Sequence, residues 1–218
     1  MLYSHKMRAL IEGWRKVWRD DGLSFYWAQL APFNYVGDPY CLPRIWEAQK
    51  MAMSVPRTGM AVITDIGNVS DIHPRNKQDV GKRLALWALA KNYGKAGVVY
   101  SGPVYESAKF EGSKARLSFD HVGSGLASRD GKDLSHFEVA GEDGKFVPAK
   151  AVIDGDTIVV SSEHVAAPTA VRFGWHQLAE PNFQNKEGLP ASPFRTYSTA
   201  PTITGKKLFL EDTSVVID

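Results

Sequence analysis

Cysteine is nearly absent from this 218-residue sequence. The single Cys41 rules out an intrachain disulfide and any cysteine-based metal cluster, so redox chemistry says nothing about compartment. Excess charge of one sign is missing too. Lys and Arg number 26 against 24 Asp and Glu, a net +2, which lacks the electrostatic footprint that nucleic acid or acidic lipid requires. No apolar run approaches the ~20 residues that span a bilayer. The first 18 residues have no uninterrupted apolar stretch and no small-residue cleavage site; they read as a helix already under way, not a signal peptide. His5, His121, His136, His164 and His176 show no paired spacing for a metal. Internal repeats and low-complexity tracts are also lacking.

What is present is a globular composition. Hydrophobic residues make up 44% and aromatics 11%, with six Trp, enough for one sizeable core or two small ones. Met7, Leu10, Ile11, Trp14, Val17 and Trp18 recur at helical spacing over 4–20, and Asp20-Asp21-Gly22 stops that helix. The run 24–30 (SFYWAQL) reads as a buried parallel strand. A loop with Pro and Gly follows over 31–41, then a helix over 42–54 with Leu42, Ile45, Trp46 and Met53 on one side. Residues 60–64 (MAVIT) form a second strand, 65–75 a loop, and 76–93 a helix with Val80, Leu84 and Trp87 on its apolar face and Gly94 beyond its end. Helix alternating with strand implies an α/β layer with a parallel sheet. Two strands are too few for a doubly wound sheet, which usually needs about five or six, so further strands are expected before residue 1.

Beyond Gly97 the period changes. Ala115, Leu117 and Phe119 alternate, as do Val171, Phe173 and Trp175, and Asp-Gly turn signals recur at 130–131, 143–144 and 154–155. The segment 151–160 reads as a hairpin on a tight Asp-Gly turn. The expectation is a small all-β sandwich from residue 97 and an irregular tail over 197–218, rich in Thr, Ser and Pro.

One motif carries chemistry. Asp71-Ile72-His73-Pro74 lies between the strand ending at Thr64 and the next helix. Open α/β sheets place ligands on loops beyond the carboxyl ends of their strands. A loop histidine there can act as general base toward a serine hydroxyl, with a nearby carboxylate holding its ring. Pro74 fixes the backbone that follows. The other reading of an Asp-x-His tripeptide is a carboxylate that shapes a turn.

The stretch DIHPRNKQDVGKRLALWAL resembles the last conserved block of the sialate O-acetylesterase family of SGNH (GDSL-like) hydrolases. FYWAQLAPF, LPRIWEAQKMAMSVPRTGMAVITDIG and LPASPFRT resemble the same family, in the same order, over residues 1–196. The resemblance implies a partial flavodoxin-like SGNH layer over 1–96, holding only its C-terminal strands and helices, then a β-sandwich domain over 97–196. It implies hydrolysis of acetyl esters on a sugar through an acyl-serine, with no metal or organic cofactor and with an O-acetylated sugar, a sialic acid or a plant or algal glycan, as partner. His73 is then the base and Asp71 its partner. Broad SGNH enzymes space this pair as Asp-x-x-His, which keeps Asp65 as the alternative acid.

The family's Gly-x-Ser-Asn nucleophile block has no counterpart here. Ser124, in Gly123-Ser124-Gly125, and Ser70 both read as turn residues. The sequence therefore reads as an esterase portion whose serine half lies upstream or on another polypeptide. The competing reading is a non-catalytic carbohydrate-binding module built on the β unit. In the family the LPRIWEAQK helix borders the active site, so Arg44, Glu47 and Gln49 are candidates for holding the sugar, against a solvated helix face in which Glu47 pairs locally. Gln29, a buried amide in need of partners, is read as a structural brace, with the His73 loop as one candidate partner. Trp14, Trp18, Trp46 and Trp87 are read as core. Asn68-Val69-Ser70 matches a glycosylation acceptor, which has meaning only in a secreted eukaryotic chain. Compartment is left open.

Overall fold

The computed structural model describes residues 2–197; the tail expected to be irregular lies outside them, apart from Tyr197. The chain opens with α1 (Leu2–Trp18), β1 (Phe25–Ala28), α2 (Cys41–Ala52), β2 (Thr58–Ala61) and α3 (Lys77–Lys91). β1 and β2 pair in parallel from Phe25 opposite Thr58 to Ala28 opposite Ala61. A further rung joins the Gln29 N–H to the Ala61 carbonyl at 2.9 Å. β2 starts and stops earlier than its hydropathy suggests; just past its end the Val62 carbonyl accepts from a guanidinium of α3.

Successive β1 side chains point to opposite faces. Tyr26 stacks on Trp87 of α3, and Phe25 lies under the Arg15 guanidinium of α1. α3 therefore covers one face of the pair, and α2, backed by α1, covers the other. Trp46 is fully buried and donates through Nε1 to the Leu30 carbonyl at 2.7 Å. Trp87 donates to the Met60 carbonyl at 3.1 Å. Gly59 lies so close to Trp87 that a Cβ there would fall 2.4 Å from the indole ring. Asn76 caps α3, its side chain accepting from the Asp79 N–H. Gly94, at φ +58, ends the helix in the left-handed conformation that glycine accepts without strain.

Trp14 and Trp18 do not join the core. They are 48% and 66% exposed, and only Ile11 and Arg15 of α1 are buried. Arg15 spends its guanidinium on the carbonyls of Leu23 and Pro56. The apolar arc of α1 is wider than the strip α2 can cover, so one flank of it faces outward.

The rest is antiparallel. β3 (Val104–Glu111), β4 (Lys114–Asp120), β8 (Lys150–Asp154) and β9 (Thr157–Ser161) form a sheet in the order β3-β4-β9-β8; β6 (Phe137–Ala140), β7 (Val147–Pro148), β10 (Ala170–Phe173) and β12 (Phe194–Arg195) form one in the order β12-β10-β6-β7; β5 (Leu126–Ser128) pairs with β11 (Phe183–Asn185). Leu117, Ile158 and Val160 of the first sheet meet Val139, Val171 and Phe173 of the second, with Phe183 between, in one core from which water is excluded. The expected hairpin forms: Asp154 pairs with Thr157 across the two-residue loop Gly155-Asp156, with Gly155 at φ +60. The described residues thus form a mixed α/β structure of three helices and several antiparallel sheets. Among the described residues no helix is long and apolar enough to cross a membrane.

Candidate active site

Two connections leave the carboxyl ends of the parallel strands, 29–40 and 62–76. The second carries the motif. His73, Ile72 and Asp71 are exposed there, and Pro74 is buried beneath them. The Asp71 N–H donates to the Asn68 carbonyl at 3.0 Å, the Ser70 N–H to Asn68 Oδ1 at 3.0 Å, and the His73 N–H to Asp71 Oδ1 at 2.9 Å. Asp71 thus shapes the backbone that presents His73, in the manner of an Asx turn. Among the described residues no hydrogen bond joins its carboxylate to the imidazole.

Asp65 opens the same loop and is committed elsewhere. Arg83 Nη1 donates to Oδ1 at 2.6 Å and Nη2 to Oδ2 at 2.7 Å, and Nη1 also reaches the Val62 carbonyl at 2.8 Å. Both side chains are nearly buried, and the Arg129 guanidinium stands 3.9 Å from Asp65 Oδ2. With both oxygens held by one guanidinium, Asp65 pins the start of the His73 loop onto α3. Arg83 escaped the sequence reading, although it lies four residues before Trp87 on the same helix face. A cation on that face was the available signal.

The α2 residues differ from one another. Arg44 is exposed and pairs with Asp38, whose carboxyl it holds below the usual range, with help from the Tyr40 N–H. Glu47 receives a bidentate pair from Arg195, at 2.9 and 2.8 Å. Gln49 is buried; its Oε1 accepts from the Leu30 N–H at 3.0 Å and its Nε2 donates to the Ala28 carbonyl at 3.4 Å. Its amide holds the end of β1. Gln29 is also buried, and its Nε2 reaches Ser192 Oγ at 3.4 Å, so it braces the segment before β12 and not the His73 loop.

The connection 29–40 contains no serine, and Ser70 sits inside the Asn68 turn. Ser124 lies in the turn between β4 and β5, held by Glu187, which accepts its N–H at 3.0 Å. No strand-to-helix elbow among the described residues presents a serine. Nor do those residues gather three or more His, Cys, Asp or Glu in a group able to hold a metal ion. Chemically, the site offers an exposed imidazole on a loop pinned at its start and held at its end by a capped helix.

The chain is 28% identical to the sialate O-acetylesterase of Homo sapiens over 196 residues, covering 83% of this chain and 34% of that protein. It is 28% identical to the sialate O-acetylesterase of Rattus norvegicus over 224 residues, covering 88% of this chain and 40% of that protein. The crystal structure of a carbohydrate acetylesterase from Xanthomonas citri superposes with a TM-score of 0.86 at 46% identity, covering 90% of this chain and 46% of that one. No family model matches. The chain spans about a third of the length of the curated relatives it matches.

Proposed function

Because the chain belongs to the sialate O-acetylesterase family, we propose that it carries the histidine side of a carbohydrate O-acetylesterase site, built on part of an SGNH-type layer (residues 1–96) and followed by a β unit (97–196). The observation that supports this reading best is the position of His73, exposed on the connection that leaves the carboxyl end of a parallel strand and just before a capped helix. His73 acts as general base. It takes the proton of a serine hydroxyl as the oxygen attacks the acetyl carbonyl of an O-acetylated sugar, then returns that proton to the departing sugar hydroxyl. A water, deprotonated by the same imidazole, releases acetate from the acyl-serine. The chemistry uses no cofactor.

Asp71 is the proposed partner of His73. Asp65 fits that role less well, because both of its oxygens are held by Arg83; it serves with Arg83 in positioning the loop. Of the α2 residues, Arg44 is the one exposed enough to meet a sugar, while Glu47 and Gln49 act by holding structure. In this reading the serine lies outside these 218 residues, which is supported by the absence of serine from the connection 29–40 and by the turn that holds Ser70. The 218-residue chain alone is expected to hydrolyse p-nitrophenyl acetate at near-background rate. Clear turnover that disappears in His73→Ala would place the nucleophile within the chain and overturn that assignment.

A further inference from the structure

A cleft of about 460 Å³ opens between the connection 29–40 and the second antiparallel sheet. Tyr40, the last residue before α2, forms one wall. Phe137 and Glu138 of β6, Arg172 of β10 and the pair Trp175-His176 form the others, with His136 at the rim. Ligand sites favour such junctions, where an apolar lining carries a few convergent polar groups.

The charge inside is already balanced. Arg172 Nε and Nη2 donate to the two oxygens of Glu138 at 2.7 and 2.9 Å. The guanidinium is also packed against two aromatic rings, 4.2 Å from the Phe146 centroid and 5.1 Å from that of Tyr40. An incoming carboxylate would find this cation neutralised and immobile. Hydrogen-bonding capacity remains for an uncharged ligand. The Leu178 N–H donates to His176 Nδ1 at 3.1 Å, so the ring proton sits on Nε2, which is a donor. The Glu138 oxygens keep lone pairs for acceptance. The exposed part of the Tyr40 ring offers an apolar surface to C–H groups.

His136 is held at φ +62, a conformation costly for a residue with a Cβ, and its carbonyl accepts from the Gly174 N–H at 3.0 Å. Backbone strain of this kind collects at binding sites. A single loop also links the cleft to His73. The connection 29–40 donates from the Asn34 N–H to the Val69 carbonyl at 3.1 Å, while the Gln177 N–H beside His176 donates to its Pro39 carbonyl at 2.9 Å.

The geometry points to this cleft as a binding site for an uncharged saccharide, engaging sugar units of a glycan remote from the acetylated one. The second half of that statement rests on the esterase reading; saccharide binding itself does not. The test is an NMR titration of the full 218-residue chain with cellohexaose, xylohexaose and mannohexaose, with N-acetylneuraminic acid as the charged comparison, following the ring protons of His136 and His176. The expected result is saturable perturbation by at least one neutral hexasaccharide and an apparent Kd raised at least about tenfold in Tyr40→Ala. His136→Asn keeps a residue that tolerates positive φ, so it removes the ring without disturbing the turn, and the His176 signal should then report a similar loss. Silence with all three neutral probes, a response to N-acetylneuraminic acid alone, or binding unchanged in both variants overturns the proposal. Failed binding beside acetate release that still depends on His73, measured on a polypeptide joining a serine block to residues 1–218, sinks the cleft and spares the esterase reading; intact binding beside acetate release indifferent to His73 does the reverse.

Discussion

At the scale of single residues, Arg83 and Asp65 form the most consequential pair near the candidate site. Their two-bond contact is nearly buried, and removing one member of such a pair leaves an uncompensated charge, at a cost of about 3–5 kcal/mol. Arg83→Met should lower unfolding stability by that order in a urea titration, and adding Asp65→Asn should restore part of it. Equal stability of Arg83→Met and the parent chain would show that the pair holds nothing in place. Asp130 gives a pH signature. Its carboxylate accepts from the side chains of Asn182 and Ser128 and from the Lys132 N–H, which lower its pKa from 3.8 to about 2. Because the folded value lies below the unfolded one, the stabilisation is complete above about pH 4 and is lost as pH falls toward about 2. Asp130→Asn should flatten the dependence of the urea midpoint over that window. The placement of Asp71 and His73 between a strand and a helix was legible in the sequence because it is a local property. The roles of Arg83, Glu47 and Gln29 were not, because their partners lie 18, 148 and 163 residues away.

At the scale of elements, periodicity at 3.6 residues found the three helices among the described residues, and short continuous apolar runs marked both parallel strands. Periodicity failed to say how much of each helical stripe is covered. Trp46 and Trp87 are core, but Trp14, Val17 and Trp18 on α1 are not, because coverage depends on the neighbour and not on the helix. Among the described residues, the exposed flank of α1 and the single-sided pairing of β1 leave apolar surface and an open strand edge, both of which favour association. Sedimentation velocity on the 218-residue chain should show species larger than a monomer, and Leu10→Gln with Trp14→Gln should shift them toward monomer. A monodisperse parent chain would contradict this.

At the scale of the whole molecule, the change of period near residue 97 is bridged by polar contacts. Glu47–Arg195, Gln29–Ser192, Lys50 to the Tyr105 carbonyl and Arg129–Asp65 all cross it. Residues 1–96 expressed alone would leave Glu47 without its cation and should show no cooperative thermal transition; a sharp one would establish an autonomous unit. Of these crossing contacts, Arg129–Asp65, at 3.9 Å, is the one that ties the start of the His73 loop to the β unit. The central claim is that His73 is the base of an acetyl-ester hydrolase. It is tested most directly by acetate release from an O-acetylated sugar, catalysed by a polypeptide that joins a Gly-x-Ser-Asn serine block to residues 1–218, with and without His73→Ala. kcat should fall by at least about 10³-fold in a His73→Ala variant that remains folded; a folded His73→Ala protein that keeps the parent kcat would show that His73 is not the base.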